Sequence, residues 1–233
     1  MDLNTCLIRL GLTNNEATLY CTLSAHGSMT GYECAKLTGI SRSNVYIALA
    51  GLCEKGAAFI VDGTAQKYSP VPAKEFCANK CREINTIVDF LRENMPSPTA
   101  PSDAYITVTG AAAIFDKMKN MIAACTERVY ISAEAFILER LSAELADVIK
   151  RGLKVVLMTG HEFNLAGSIM YEMTRNKGQV RLIVDSRFVL TGDIIENKPC
   201  SCLFSSSDTL VTLFKDAMKN EIKLIELGEL KHS

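Results

Sequence analysis

Between Thr30 and Lys67 the chain strings together caps, glycines and short apolar stripes in an order that few folds can accommodate. Thr30 and Glu33 stand at the S/T-x-x-E spacing of a capping box, where each side chain satisfies a backbone donor at the other's position, so a helix begins there. Ala35, Gly39, Ile40, Val45 and Ala48 follow at the spacing of a helix-turn-helix, with glycine permitting the turn and small residues allowing close approach. Ser41 is expected to cap the second helix. In that helix Val45, Ala48, Leu49 and Leu52 recur on one face. The opposite face carries Ser43, Ile47 and Ala50, flanked by Asn44 and Tyr46, and suits entry into a groove.

Gly56 closes this second helix as a residue tolerant of positive φ. Residues 57–61 and 66–71 then read as two short strands around Asp62-Gly63, a turn pair, and a hairpin placed after a recognition helix is a wing. Upstream, Thr13 and Glu16 form a second capping box, opening a helix whose Leu19, Tyr20 and Leu23 would cover the other two. Residues 1–72 are therefore expected to form one winged helix-turn-helix domain of α+β class.

A chain of 233 residues with 48% hydrophobic and 22% charged residues has room for two globular domains. No uncharged apolar run reaches the roughly 18 residues of a spanning helix, and the amino terminus lacks a secretory pattern, so the expected location is the cytoplasm, away from any membrane. The nine cysteines are scattered through apparent core helices, as at Cys6, Cys21, Cys34, Cys53 and Cys125, and read mostly as reduced packing residues. Neither close pair, Cys77 and Cys81 or Cys200 and Cys202, completes a zinc set, and neither a metal nor a cofactor is expected. Residues 1–95 hold nine basic and nine acidic side chains, so their net charge is zero. A nucleic-acid surface must then come from distribution, with Arg42, Lys36 and Lys67 on one side and the acids elsewhere.

In residues 73–95, Cys77, Cys81, Ile84, Val88, Leu91 and Met95 alternate steps of four and three, the pattern of a coiled-coil seam. Such a seam suits pairing with an identical helix, which would present two reading heads to a two-fold symmetric DNA site. Packing against the chain's own domain is the alternative. A thiol at Cys77 or Cys81 on such a seam could also meet its symmetry mate. Pro96, Pro98 and Pro101 then break the helix, so 73–101 is expected to be a linker and dimerisation segment. In 102–233 strands and helices alternate: strands at 105–109, 128–132, 154–158, 180–184, 188–191 and 200–204, and helices at 111–125, 136–151, 165–174 and 208–226. That alternation predicts an α/β layered domain on a mainly parallel sheet.

The stretches Leu10-Gly11-Leu12-Thr13-Asn14-Asn15-Glu16-Ala17, Gly31-Tyr32-Glu33-Cys34-Ala35-Lys36, Ile40-Ser41-Arg42-Ser43-Asn44-Val45-Tyr46 and Leu52-Cys53-Glu54-Lys55-Gly56 resemble the TrmB family of transcriptional regulators. The resemblance implies a homodimeric DNA-binding regulator with a phospholipase-D-like domain after a linker helix, the second domain sensing a signal or mediating assembly.

Phospholipase-D-like enzymes use H-x-K-x-x-x-x-D, with histidine attacking phosphorus and lysine holding phosphate oxygens. With Asp185 in the acidic place, the histidine position is Gly178 and the lysine position Val180. Neither can do the chemistry, so no catalytic residues and no enzyme activity are expected. Asp185 in a tight turn reads first as the acceptor of a local backbone hydrogen bond. The sharper alternative is a vacated cleft that binds a small-molecule effector, with His161, Asp185 and Arg187 near it.

On the first domain the expected DNA-facing set is Arg42, Ser43, Asn44, Tyr46 and Ile47, with Lys36 nearby and Gln66 and Lys67 reaching the backbone from the wing. Tyr46 tucked against the wing is the structural alternative. The sequence thus points to a homodimeric regulator of double-stranded DNA, or alternatively to a non-catalytic scaffold contacting protein or DNA in general.

Overall fold

The computed structural model describes residues 2–63, 65–96, 105–160, 162–173, 177–195 and 198–228. The chain divides into two compact units, 1–97 and 98–233. Beyond Pro96 the proline-rich stretch expected to end at 101 lies outside the described residues.

The first unit begins with a short helix that the sequence pattern did not announce, α1 (Leu3–Arg9), capped by Asp2 through Thr5. Then come α2 (Asn14–His26), α3 (Gly31–Thr38) and α4 (Arg42–Glu54). Both capping boxes are formed. Thr13 N donates to Glu16 at 2.7 Å and Thr30 N to Glu33 at 2.7 Å, while each glutamate's own N–H returns the bond to the threonine hydroxyl at 3.3 Å. Gly39 takes the left-handed conformation, φ 70°, that ends α3 and turns the chain into α4. Ser41 occupies the N-cap position of α4 but does not cap it with its side chain. Its hydroxyl instead meets the Ser43 hydroxyl at 3.3 Å, so the expected cap bond is absent.

Helix α4 buries Val45, Leu49 and Leu52 completely and Ala48 almost so, in one core with Leu19, Tyr20 and Leu23 of α2. Strands β1 (Ala58–Val61) and β2 (Lys67–Pro70) pair antiparallel, joined by residues 62–66 rather than by a two-residue turn. Helix α5 (Ala73–Asn94) is anchored at its start by Phe76, 1% exposed, whose ring lies 5.4 Å from that of Tyr20. The Tyr20 hydroxyl donates to Val71 O at 2.9 Å, tying α2 to the end of the wing.

In the second unit β3 (Ile106–Thr109), β4 (Arg128–Ser132), β5 (Lys154–Thr159), β6 (Ile169–Glu172), β7 (Gln179–Val184), β8 (Phe188–Asp193) and β9 (Ser201–Ser205) form one sheet of order β3-β9-β8-β7-β4-β5-β6. Only β4–β5 and β5–β6 are parallel; the other four pairings are antiparallel, so the expectation of a mainly parallel sheet is corrected. The helix expected at 165–174 is also corrected, because it is the edge strand β6. The helix expected at 136–151 is two pieces, α7 (Ala135–Glu139) and α8 (Ser142–Lys150), broken at Arg140-Leu141.

Alternation along each strand builds two core layers. Val180, Leu182 and Val184 of β7 join α6 (Ala111–Ala123), α7 and α8 on one face, while Ile183 meets Val211 and Met218 of α9 (Asp208–Glu226) on the other. No helix among the described residues is long and apolar enough to cross a membrane.

The first unit carries one tightly constrained polar group. Glu16 is 5% exposed and pairs with Lys55 at 2.6 Å, and a Cβ on Gly51 of α4 would collide with its carboxylate. Burial alone would raise the Glu16 carboxyl, but the bonds from Lys55 and Thr13 outweigh it and hold the group below its ordinary 4.5. Gly51→Ala would improve helix propensity by about 1 kcal/mol, yet displacing this carboxylate leaves a buried group unsatisfied at a cost of about 1–3 kcal/mol. Urea unfolding should therefore show the first unit destabilised; a raised midpoint would show that Glu16 relocates freely.

Candidate nucleic-acid interface

Because the apolar stripe of α4 is consumed by the core, its remaining positions are turned outward. Arg42, Ser43, Asn44, Tyr46, Ile47 and Ala50 are all exposed within the first unit, and Ile47 is 71% exposed. A large aliphatic side chain so exposed on a helix of small and polar neighbours can contact a thymine methyl, while Asn44 and Arg42 offer base-edge or phosphate bonds. Arg42 lies over the Tyr32 ring, its guanidinium carbon 4.7 Å from the centroid, and this contact limits its freedom at the start of the helix. Tyr46 is half exposed. Its ring covers Gly31, where a Cβ would come within 2.6 Å, so α3 and α4 approach closely through a glycine and an aromatic plate.

Lys36 of α3 and Gln66 and Lys67 of the wing are exposed as well. Glu33 of α3 is exposed in the same region. Hydrogen bonds from the Thr30 backbone and hydroxyl hold its carboxyl below 4.5, and the charge of Lys67 adds to the effect. Three residues of this region were missed from sequence. Tyr32 stacks on Arg42, and Phe59 and Ile60 of β1 are 55% and 50% exposed. Tyr32 stood in a helix start with an apolar ring and no helical stripe to join, and that mismatch was the signal that could have found it.

In the second unit Asp185, expected in an effector set with His161 and Arg187, is engaged by the fold. Asp185 sits in the β7–β8 turn, in left-handed conformation with Ser186 (φ 52° and 53°). Its carboxylate accepts from the N–H groups of Thr126, Glu127 and Arg128 at 2.8–2.9 Å, from the Thr126 hydroxyl at 2.9 Å and from the Cys125 thiol at 3.2 Å. Five donors on two oxygens make it a fastener of the β4 entry, and the donors come from another segment rather than from its own turn. Arg187 is exposed on the same turn. His161 lies outside the described residues. Thr159 ends β5, and the register of β5, β4 and β7 places it at the opposite end of the sheet from the Asp185 turn, about five residues or ~16 Å along the strands. The expected grouping of His161 with Asp185 and Arg187 thus falls in part outside the described residues.

The two positions that phospholipase-D-like chemistry would need are closed by geometry as well as by identity. Val180 is fully buried in the core. Gly178 has φ 79°, donates its N–H to Glu134 at 2.7 Å, and would drive a Cβ to 2.8 Å from Ile194 O. No imidazole can be placed there without moving the β8 exit. Among the described residues no group of three or more His, Cys, Asp or Glu side chains is disposed to hold a metal.

Residues 7–74, which span α2 to α4 and the wing, match the family described as sugar-specific transcriptional regulator TrmB. The winged helix is therefore similar to that family's DNA-binding region over 7–74. A 155-residue stretch is 28% identical to the uncharacterized protein YrhO of Bacillus subtilis (strain 168), covering 65% of this chain and 56% of that protein, so the match spans little more than half of the curated relative. Among solved structures, TrmBL2, an archaeal chromatin protein, is similar at 16% identity and TM-score 0.47 over 95% of this chain and 97% of that one. NucT from Helicobacter pylori is similar at 14% identity and TM-score 0.45, covering 52% of this chain and 97% of its own. Likenesses of this strength leave the fold to be judged from the topology above.

After the wing, α5 leaves its apolar stripe uncovered within the first unit. Cys77, Cys81, Ile84, Leu91 and Met95 are exposed and Val88 is half-buried, while Ile87, 51% exposed, widens the stripe on one flank. Cys77 and Cys81 are the two exposed members of the nine free cysteines.

The Asp185 arrangement has a measurable consequence. Burial alone would raise its carboxyl, but the amides of Arg128, Thr126 and Glu127 outweigh that and hold it well below the ordinary 3.8. A depressed folded value adds stability that is present above the ordinary value and is lost as pH falls below it. Asp185→Asn should cost the second unit about 2–3 kcal/mol at neutral pH, since an amide cannot accept from all five donors. It should also flatten the loss of stability below pH ~4 seen by calorimetry. Equal acid sensitivity in variant and parent would remove this carboxylate from the fold's support.

Proposed function

We propose that this chain is a sequence-specific DNA-binding transcriptional regulator that works as a homodimer, with its carboxy-terminal α/β unit sensing an effector or mediating assembly. The single observation that carries this reading is the open face of α4 within the TrmB-like domain, where Arg42, Asn44 and Ile47 stand outward together. Lys36, Gln66 and Lys67 support it as flanking phosphate contacts, and a protein with zero net charge over 1–95 would depend on such local placement.

The uncovered stripe of α5 supports the dimer. Cys77, Cys81, Ile84, Val88 and Leu91 on one face of a 22-residue helix, with Met95 just past its end, would be covered by an identical helix, and two-fold symmetry would set two α4 helices for successive turns of duplex. Catalysis plays no part in this reading, because Gly178 and Val180 offer neither nucleophile nor phosphate-binding cation.

A second reading, a scaffold that contacts protein or DNA in general, is favoured by one feature. Phe59, Ile60 and Val61 form an exposed apolar run on β1, which suits a protein partner better than a phosphate backbone.

Genome-wide footprinting followed by anisotropy titration separates the two. The regulator reading expects strong preference for particular promoters with steep salt dependence, and equal affinity for random duplex would favour the scaffold. Arg42→Ala should weaken binding to the preferred site by about 1–3 kcal/mol if the guanidinium contacts a base; unchanged titration curves would take it out of the interface. Ile84→Asp combined with Leu91→Asp should convert a dimer to monomers in sedimentation and weaken operator binding while each unit stays folded. A dimer that survives both substitutions would place the interface elsewhere.

A further inference from the structure

Helix α9 carries two apolar rows, and the sheet uses one of them. Val211, Phe214, Met218, Ile222 and Ile225 step by three and four along the side that packs on the sheet. About half a turn away, Leu213, Ala217, Asn220, Leu224 and the C-cap residue Leu227 step by four, three, four and three. Leu213 is 63% exposed, Leu224 38% and Leu227 71%. Single exposed leucines are ordinary on a protein surface, but three in one row at the a/d spacing of a helical seam are not a scatter.

The charges beside this row select what can cover it. With Leu213 and Leu227 at d positions and Ala217 and Leu224 at a positions, Asp216 and Lys223 both fall at g, on the same flank. An antiparallel pair of α9 helices that sets Leu213 on Leu224 of a second copy brings Asp216 to Lys223 of that copy, and two-fold symmetry makes the ion pair twice. A parallel pair would instead set Asp216 against Glu221 of the copy, like charge against like. Asp216 reaches Lys219 of its own helix at 3.8 Å with side chains 60% and 59% exposed, a contact too weak to hold it from a closer cation. Asn220 stands in the middle of the row, where a polar residue fixes register at a cost in stability, and the small Ala217 of the copy lies across from it.

We propose that the outer face of α9 is a self-association surface, pairing antiparallel with α9 of a second copy and joining dimers made through α5 into a larger assembly. From Leu213 to Leu227 the row runs ~21 Å at a rise of about 1.5 Å per residue. So short a seam falls below the roughly 800 Å² per partner of a standard stable interface, and by itself it is weak. Between chains already joined elsewhere, the raised local concentration makes it effective. Two self-complementary contacts on one chain give a closed tetramer or an open row of dimers. The inference gives the assembly part of the proposed function a surface, and it rests on that reading only for the α5 pairing.

Sedimentation equilibrium of the full chain without DNA, over a hundredfold range of concentration, tests the contact apart from operator binding. The parent should show a dimer and a weaker step to larger species. Leu213→Glu, at an exposed position, should weaken that step at least tenfold with thermal stability unchanged and the α5 dimer intact. Asp216→Lys and Lys223→Glu should each weaken it at least threefold, and the two together should restore it, because the reversed charges meet again across the two-fold axis. Ile84→Asp with Leu91→Asp should leave only a weak monomer–dimer step, which Leu213→Glu then abolishes, so failure of the α5 pairing and failure of the α9 contact are separate results. The absence of any association step sensitive to Leu213→Glu, whether because another protein or another part of this chain takes the face, would overturn the proposal. A double charge reversal no better than either single one would overturn it as well.

Discussion

The amino-terminal unit depends on the packing of one side of α4. Val45, Ala48, Leu49 and Leu52 are spaced so that all four enter the core formed with α2 and the wing. A helix that gives one face to the core has no freedom about where the other face goes. Arg42, Asn44 and Ile47 are therefore presented outward by burial of their neighbours, with no need for contacts of their own. Close approach of α3 and α4 follows from the same constraint, through Gly31 under the Tyr46 ring, and the pairing of buried Glu16 with half-buried Lys55 fixes how α2 meets the far end of α4.

The carboxy-terminal unit is held differently at its two ends. At one end Asp185 gathers three amides, a hydroxyl and a thiol, and burial together with this carboxylate pushes the Cys125 thiol up to about 11, so the region is closed and inert. At the other end Gly178 is locked by its conformation and by Glu134, while Thr159 and Gly160 leave space. One end of the sheet is closed by a carboxylate with five donors, and the other carries an open cavity.

Where local chemistry decides conformation, it was legible in the residues. The two capping boxes depend on threonine and glutamate three positions apart, and both bonds of each box are formed. Helix α9 was bounded by its own amphipathic period. Elements whose identity depends on a distant partner were not legible. The segment at 165–174 has a mixed apolar pattern, and only the free edge of β5 makes part of it a strand. The sheet was expected to be mainly parallel because strands alternated with helices in the first half of the unit, yet β7, β8 and β9 return as hairpin-like neighbours. Asp185 was identified as a turn residue with a backbone role, but its donors lie some 57–60 positions away and no local pattern reveals them.

By itself the sequence determined the helix-turn-helix, its caps, the outward face of α4 and the absence of the histidine and lysine that phosphodiester chemistry needs, because periodicity, capping and side-chain identity act over a few residues. Only the tertiary structure decided which strands are neighbours, that Asp185 is consumed by the fold, and that the Thr159 hydroxyl is buried without a partner among the described residues. Those facts depend on which distant segments meet, and burial and hydrogen-bond satisfaction have no value until they do.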